Sequence, residues 1–273
     1  VYGFGRAEEI LGQSLGNSGR RAFIAGKCGL VWEQSGQFFF ETTHEGRPVR
    51  VHRSLSAEAV TLDCERSLLR LKRDCMDLYQ IHWPLSPDAM QGAYEGLLRL
   101  KEQGKIRGIG ICNATAEHLA SFERSTGQRY DAVQNRLSLV HRSGSAQTLA
   151  YARKHRIPFL AYGALGQGAL ALRSERSQMG PSSDLRQGGE LFGDAWQARI
   201  SRAWACSGIE ESERLVSAFR YPLLLEGVSA VIAGIRNEQQ ARENARAGES
   251  IVEAAALRKR LEDAFRDLDY RGK

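Results

Sequence analysis

Apolar runs along this chain repeatedly stop on polar side chains. Met76-Asp77-Leu78-Tyr79-Gln80-Ile81 reads as a strand and then meets His82, Trp83 and the breaker Pro84. Ile106-Arg107-Gly108-Ile109-Gly110-Ile111-Cys112 ends on Asn113, and Phe23-Ile24-Ala25-Gly26 ends on Lys27. Ala132-Val133-Gln134 and residues 157–162 and 228–235 predict three more strands. Between them the apolar spacing becomes helical. Ser56 is placed to cap a helix that buries Val60, Cys64, Leu68 and Leu71. Ser86-Pro87-Asp88 begins another, which runs to about Gln103 and stops at Gly104. Further helices are predicted around Glu8, Ile10 and Leu11, from near Thr115, over 146–155, over 196–224, after the last strand, and on Leu257, Leu261, Phe265 and Leu268. Residues 29–54, with the run Phe38-Phe39-Phe40, predict a loop. The Gly-, Ser- and charge-rich stretch 166–195 is too long for a simple connection and predicts a functional loop or lid.

Strands alternating with helices at this spacing indicate parallel βαβ units. Polar residues at the carboxyl ends of successive buried strands are how a (β/α)8 barrel, the TIM barrel, builds an active site. Six strand–helix units can be counted, where a closed barrel needs eight. Val1-Tyr2-Gly3-Phe4-Gly5 leads straight into a helix. The expectation is therefore one α/β domain over residues 1–273, a TIM barrel incomplete at its N-terminus, without the first strand, first helix and second strand. Such a chain would expose an unpaired edge and core, and is expected to be poorly active or unstable.

The 273 residues suffice for one large domain. There is no apolar run long enough to span a membrane and no basic segment followed by an apolar stretch at the start, so neither a membrane nor export is expected. Five scattered cysteines without metal-like pairing favour reduced thiols, a cytoplasmic protein and no metal site. The net charge of +6 comes from dispersed arginines rather than a basic cluster with aromatics, which argues against nucleic acid but suits an anionic cofactor.

Lysine is costly to bury, so Lys27 at a strand end is either snorkelling outward or kept charged to act on a neighbour. A charge there would favour the ionised form of an adjacent phenol or thiol. His82 could position or exchange a proton, or be a hydrogen-bonded core histidine. Tyr2, alone, reads as a packing aromatic. Gly3-Phe4-Gly5 is no dinucleotide fingerprint, because position 8 is Glu and no strand precedes it. Gly163-Ala164-Leu165-Gly166-Gln167-Gly168 follows the penultimate strand and Gly234-Ile235-Arg236-Asn237 follows the last. Barrels commonly hold phosphate in these two loops, and an arginine beside a helix N-terminus suits a phosphate monoester.

With these residues in place, the chain resembles the aldo-keto reductases, and bacterial members related to sugar and inositol-type enzymes most of all. The likeness rests on Tyr2-Gly3-Phe4-Gly5-Arg6-Ala7-Glu8-Glu9-Ile10-Leu11-Gly12, Ser67-Leu68-Leu69-Arg70-Leu71, Asp77-Leu78-Tyr79-Gln80-Ile81-His82-Trp83-Pro84 and Gly104-Lys105 through Asn113. Gln134-Asn135, Ala161-Tyr162-Gly163-Ala164-Leu165, Asp184-Leu185-Arg186 and Val231 to Arg236 add to it. The resemblance implies reduction of aldehydes, ketones or sugars with NADPH, NADH being less favoured. It implies catalytic roles for Tyr2, Lys27 and His82, with Tyr2 as proton donor. Asn113 and Gln134 would hold the nicotinamide carboxamide, and Tyr162 would stack on the ring. Leu165, Gly166 and Gly168 would follow the pyrophosphate. Gly234, Arg236, Asn237, Gln240 and Asn244 would hold the adenosine and its 2′-phosphate. Trp32 and Trp83 would line the substrate pocket. The family's catalytic aspartate falls before position 1, and Cys112 stands where many relatives have serine. The 207–221 stretch looks unusual for the family. A non-catalytic cofactor-binding regulatory or scaffold protein, or an inactive fragment, is the alternative; intact Tyr2, Lys27 and His82 argue against the first of these.

Overall fold

Residues 2–16, 22–32, 36–171, 189–235, 237–249 and 254–270 are described by the computed structural model. Residues 172–188, which hold most of the expected lid and Asp184-Leu185-Arg186, lie outside them, as does Arg236. The chain divides into two units, Val1–Gln134 and Asn135–Lys273.

In the first unit a 3-10 turn (Tyr2–Gly5) enters α1 (Arg6–Leu15). Then come β1 (Ala25–Cys28), β2 (Leu30–Val31), β3 (Gln37–His44), β4 (Arg47–Arg53) and α2 (Ala57–Leu71). The order continues with β5 (Met76–Ile81), α3 (Gln91–Glu102), β6 (Ile106–Cys112), α4 (Ala116–Thr126) and β7 (Ala132–Arg136). β1, β5, β6 and β7 lie side by side in parallel, in chain order. The Ser56 hydroxyl accepts from the Ala59 N–H and Thr115 forms a capping box with His118, so α2 and α4 begin where their caps predict. Val60, Leu97 and Phe122 of the helices and Tyr79, Ile81, Ile109, Ile111 and Val133 of the strands are all fully buried or nearly so. Each such aliphatic or phenyl side chain contributes about 1.5–3 kcal/mol.

The stretch 29–54 corrects the loop expectation. It forms a three-stranded antiparallel sheet in the order β2-β4-β3. Its turn is Glu45-Gly46, with φ of 49° and 77°. Two consecutive left-handed residues match the twist of a hairpin, a role usually signalled by Asn-Gly or Asp-Gly. Glutamate in the first place conceals that signal. The expected helical region 196–224 comprises two helices.

The second unit contains α5 (Ser143–His155), β8 (Phe159–Tyr162), α6 (Asp194–Ser207), α7 (Glu211–Leu223), β9 (Val228–Ile232), α8 (Glu238–Arg246) and α9 (Ala254–Ala264). β8 and β9 pair in parallel. Leu139, Val140, Ile200, Trp204, Leu261 and Phe265 belong to one buried cluster. Leu261, Phe265 and Leu268 are all buried, as the apolar face of the last helix predicts. Arg142 ties that end of the chain down, donating to the carbonyls of Phe265, Arg266 and Leu268. Parallel strands thus number six among the described residues, against the eight of a closed barrel.

Candidate active site

The carboxyl ends of β1 and β5 bring two of the three expected catalytic residues into one place, and the turn before α1 supplies the third. The Tyr2 hydroxyl lies 3.2 Å from Nε2 of His82. The Lys27 ammonium sits 5.3 Å from the centroid of the Tyr2 ring. Tyr2, Lys27, Trp32, Asp63, Arg70 and His82 all line one cavity of about 200 Å³.

Tyr2 owes its position to tight helix packing. Gly3, Phe4 and Gly5 have φ of 57°, 51° and 96°, so the chain turns sharply between the phenol and α1. A Cβ on Gly12 would stand 2.6 Å from the Arg70 carbonyl oxygen, so only glycine lets α1 approach the end of α2 this closely. Glu8 of α1 then takes a 2.6 Å charge-assisted bond from Nε of Arg70.

Burial, helped by the Lys27 charge, pulls His82 down to about 3. The imidazole is therefore neutral at neutral pH, a hydrogen-bonding group rather than a cation. Burial pushes the Asp63 carboxyl up to about 6, opposed by the Gly29 N–H that donates to it at 3.1 Å. Burial also drives the Cys112 thiol up to about 12, leaving it an inert neighbour of Asn113.

Asn113 takes the left-handed conformation (φ 53°), which asparagine tolerates better than most residues. Its Nδ2 donates to the His82 carbonyl at 2.9 Å and its backbone N–H to the Gln134 carbonyl at 3.0 Å. It thereby links the ends of β5 and β7. Gln134 is almost completely buried, and its Oε1 accepts from Nε2 of Gln80 at 3.2 Å.

Trp32 and Trp83 belong to a larger aromatic wall. Phe4 lies edge-on to Trp32 at 5.4 Å and against the His44 ring at 4.3 Å. Phe39 of β3 meets Trp83 at 5.5 Å, and Trp83 stacks beside His82 at 6.3 Å. Sequence reasoning missed Phe39 and His44 because their strand was read as loop, and Phe4 because it stands in a glycine-rich turn. It also missed Asp63 and Gln80, although an acid one residue before Cys64 and a glutamine in an apolar strand were visible signals.

In the second unit the expected binding residues form two local groups. In the 163–168 loop, Gly163, Gly166, Gln167 and Gly168 all have positive φ. The Gly166 N–H donates to the Gly163 carbonyl at 2.8 Å, and those of Gly168 and Leu170 donate to Leu165 at 3.0 and 3.1 Å. The Gly166 and Gly168 amides are occupied within the turn, and the two glycines shape its backbone. Arg136 lies over the Tyr162 ring at 5.9 Å. After β9, Asn237 caps α8 by accepting from the Gln240 N–H at 2.9 Å, and Asn244 donates to the Gly234 carbonyl at 3.3 Å. A Cβ on Gly234 would meet nothing within 4 Å, and no described side chain of α8 is buried, so this segment is open to solvent.

No helix among the described residues is long and apolar enough to cross a membrane. A family model described as the aldo/keto reductase family matches residues 1–257. The NADH-specific methylglyoxal reductase of Escherichia coli (strain K12) is 27% identical over 276 residues, covering 96% of this chain and 78% of that protein. Aldo-keto reductase YhdN of Bacillus subtilis (strain 168) is 30% identical over 188 residues, 68% of this chain and 52% of the relative. The solved structure of glycerol dehydrogenase AKR11B4 from Gluconobacter oxydans superposes with a TM-score of 0.83 at 28% identity, covering 98% of this chain and 79% of that one. The match over residues 1–257 and the likeness to a solved member lead to one assignment: this chain belongs to the aldo/keto reductase family of oxidoreductases and has its α/β barrel-type fold.

Proposed function

We propose that the protein reduces the carbonyl of an aldehyde, ketone or sugar to an alcohol, with NADPH as reductant and Tyr2 as proton donor. The observation that carries this reading is the Tyr2–His82 contact at 3.2 Å with Lys27 over the phenol ring. The residues present fit a nicotinamide nucleotide. A side-chain amide on Gln134 and an asparagine bridging two strand ends stand on the same sheet as His82, and Gly234 leaves open space ahead of the exposed start of α8.

When bound, the nicotinamide supplies the hydride. The chain's own groups do the rest. His82, neutral, hydrogen-bonds the substrate oxygen and fixes its distance from Tyr2. The Tyr2 hydroxyl gives its proton to the oxygen as negative charge builds there. A free phenol titrates at about 10 and is a weak acid at neutral pH. The Lys27 charge beside the ring favours the phenolate left behind, which lowers the cost of that transfer. Asn113 and Gln134 are assigned to the carboxamide, and Tyr162 to the ring face. Leu165, Gly166 and Gly168 are assigned to the pyrophosphate by backbone shape, and Gly234, Asn237, Gln240 and Asn244, with Arg236, to the adenosine. Arg236 is the reason for preferring NADPH; the E. coli relative named NADH-specific supports the other choice. Trp32, Trp83, Phe4 and Phe39 wall the substrate side. All five cysteines are free, in keeping with a cytoplasmic setting.

The test is carbonyl-dependent oxidation of NADPH and NADH by the wild-type protein and Tyr2→Phe, with methylglyoxal and glyceraldehyde as probes. Turnover by wild type with NADPH preferred, and its loss in Tyr2→Phe, is the expected result. Equal turnover by the two proteins would remove Tyr2 from the mechanism, and preference for NADH would replace the cofactor.

A further inference from the structure

We infer that Gln80, in the middle of the sheet, is a positioning residue that sets which end of the Gln134 amide faces the nicotinamide. This rests on the reading of Gln134 just proposed. Gln80 is fully buried in a strand whose neighbours Tyr79 and Ile81 are apolar or aromatic and equally buried. Its Nε2 donates to Oε1 of Gln134, on a strand two places away. The side chain makes that crossing over Gly110, its register partner on β6. A Cβ on Gly110 would stand 2.7 Å from Cγ of Gln80, inside contact distance. The missing side chain on the middle strand is thus the passage through which β5 reaches β7.

Fold stability does not account for this arrangement. Oε1 of Gln80 is buried and finds no partner among the described residues. A buried carbonyl oxygen left unpaired costs the fold; a leucine of similar size would remove it but would strand Oε1 of Gln134 instead, so the exchange is near neutral for stability. What the glutamine does is fix Gln134. An amide whose oxygen is already taken presents its NH₂ group to whatever lies beyond. Gln134 therefore meets the carboxamide as a donor to its carbonyl oxygen. Without Gln80 both orientations of the Gln134 amide become available, and part of the binding is lost to the wrong one.

Two variants and two ligands test this. Gln80→Leu removes the donor and the orphan oxygen together. Its melting temperature is expected to stay close to that of wild type, while its Kd for the reduced nicotinamide nucleotide, measured by fluorescence titration, rises about twofold. Gln80→Glu, read at alkaline pH so that the buried carboxyl is ionised, places an acceptor with no donor beside Gln134, whose amide then turns its NH₂ toward the glutamate and its oxygen toward the ligand. The 3-acetylpyridine analogue keeps the carbonyl and lacks the amide NH₂. Its Kd relative to the natural cofactor is expected to worsen about tenfold in Gln80→Glu compared with wild type. Side-chain amide NMR of ligand-free protein gives a readout independent of binding: the Gln134 NH₂ resonances should move in both variants. Gln80→Leu binding the cofactor as tightly as wild type, with Gln134 resonances in place, would overturn the inference alone. A wild-type protein that binds neither NADPH nor NADH would overturn the nicotinamide reading and this inference with it.

Discussion

The two units commit their site residues in opposite ways. In the first, the reacting groups are held by other side chains and by helix packing: Tyr2 by the α1–α2 contact, Asn113 by the His82 carbonyl, Gln134 by Gln80. In the second, the binding residues are engaged mainly with their own segment. The 163–168 turn uses its own amides, and Asn237 and Asn244 satisfy the start of α8 and the Gly234 carbonyl. Chemistry needs groups fixed to within a fraction of an ångström, which a packed sheet and helix provide. A loop that lies along a phosphate or ribose needs only the right backbone course and an open approach. Substitutions at the proposed proton-transfer residues of the first unit should therefore act on kcat, and those in the second unit on cofactor affinity.

The strongest test of that division is Tyr2→Phe, which keeps the ring and removes the proton. It is expected to lower kcat by about 10²–10⁴-fold with cofactor Kd unchanged, as read by single-turnover kinetics and titration. A large rise in Kd instead would break the comparison. Next is Gly12→Val, whose Cβ runs into the Arg70 carbonyl. Displacing α1 should cost about 1–3 kcal/mol in denaturant unfolding and reduce kcat through Tyr2, again without a matching change in cofactor affinity. On the other side, Asn237→Ala removes a helix cap that costs about 0.5–2 kcal/mol to lose. It should weaken cofactor binding severalfold and leave kcat at saturating cofactor intact.

The smallest effects concern pH. His82, held near 3 by burial, does not titrate between pH 5 and 7.5, so kcat/KM should show no acid limb from an imidazole in that range. Such a limb, if it vanished in His82→Gln, would show that the histidine works as a cation. For stability, the folded pKa of His82 lies below its unfolded value of about 6.5. The unfolded chain takes up the proton first, so this contribution is complete above that value and is lost as pH falls toward 3. Asp63 has the opposite sign. Its folded pKa near 6 lies above the unfolded value, so its contribution is complete in acid and is lost as pH rises through 6. Asp63→Asn should accordingly gain melting temperature over wild type on going from pH 4 to pH 7.

Much of this was legible in the chain itself. Strands stopped by polar residues singled out Lys27 and His82, which line one cavity, and the cap at Ser56 gave a helix start correctly. Tyr2 came only through the resemblance, because a tyrosine in a glycine-rich turn has no periodicity to mark it. The hairpin was lost because Glu45 occupies a position where the turn's usual asparagine or aspartate would have announced it. Gln80 was legible as a residue but not as a partner of Gln134, since nothing in one sequence says that Gly110 clears a path between strands two apart. In the 163–168 loop glycine spacing showed that the backbone can turn, but not that the turn takes up the Gly166 and Gly168 amides.

The antiparallel excursion that carries Phe39 and His44 leaves and rejoins the parallel framework at one point, where the Ser54 N–H meets the Gly29 carbonyl at 3.2 Å. A segment closed by its own base can be exchanged for one of another length at little entropic cost, because loop closure grows only slowly with chain length. Under the proposed function, the carbonyl preference would sit on a cassette. Grafting a different hairpin between positions 29 and 54 offers a route to new substrates that leaves Lys27 and His82 in register.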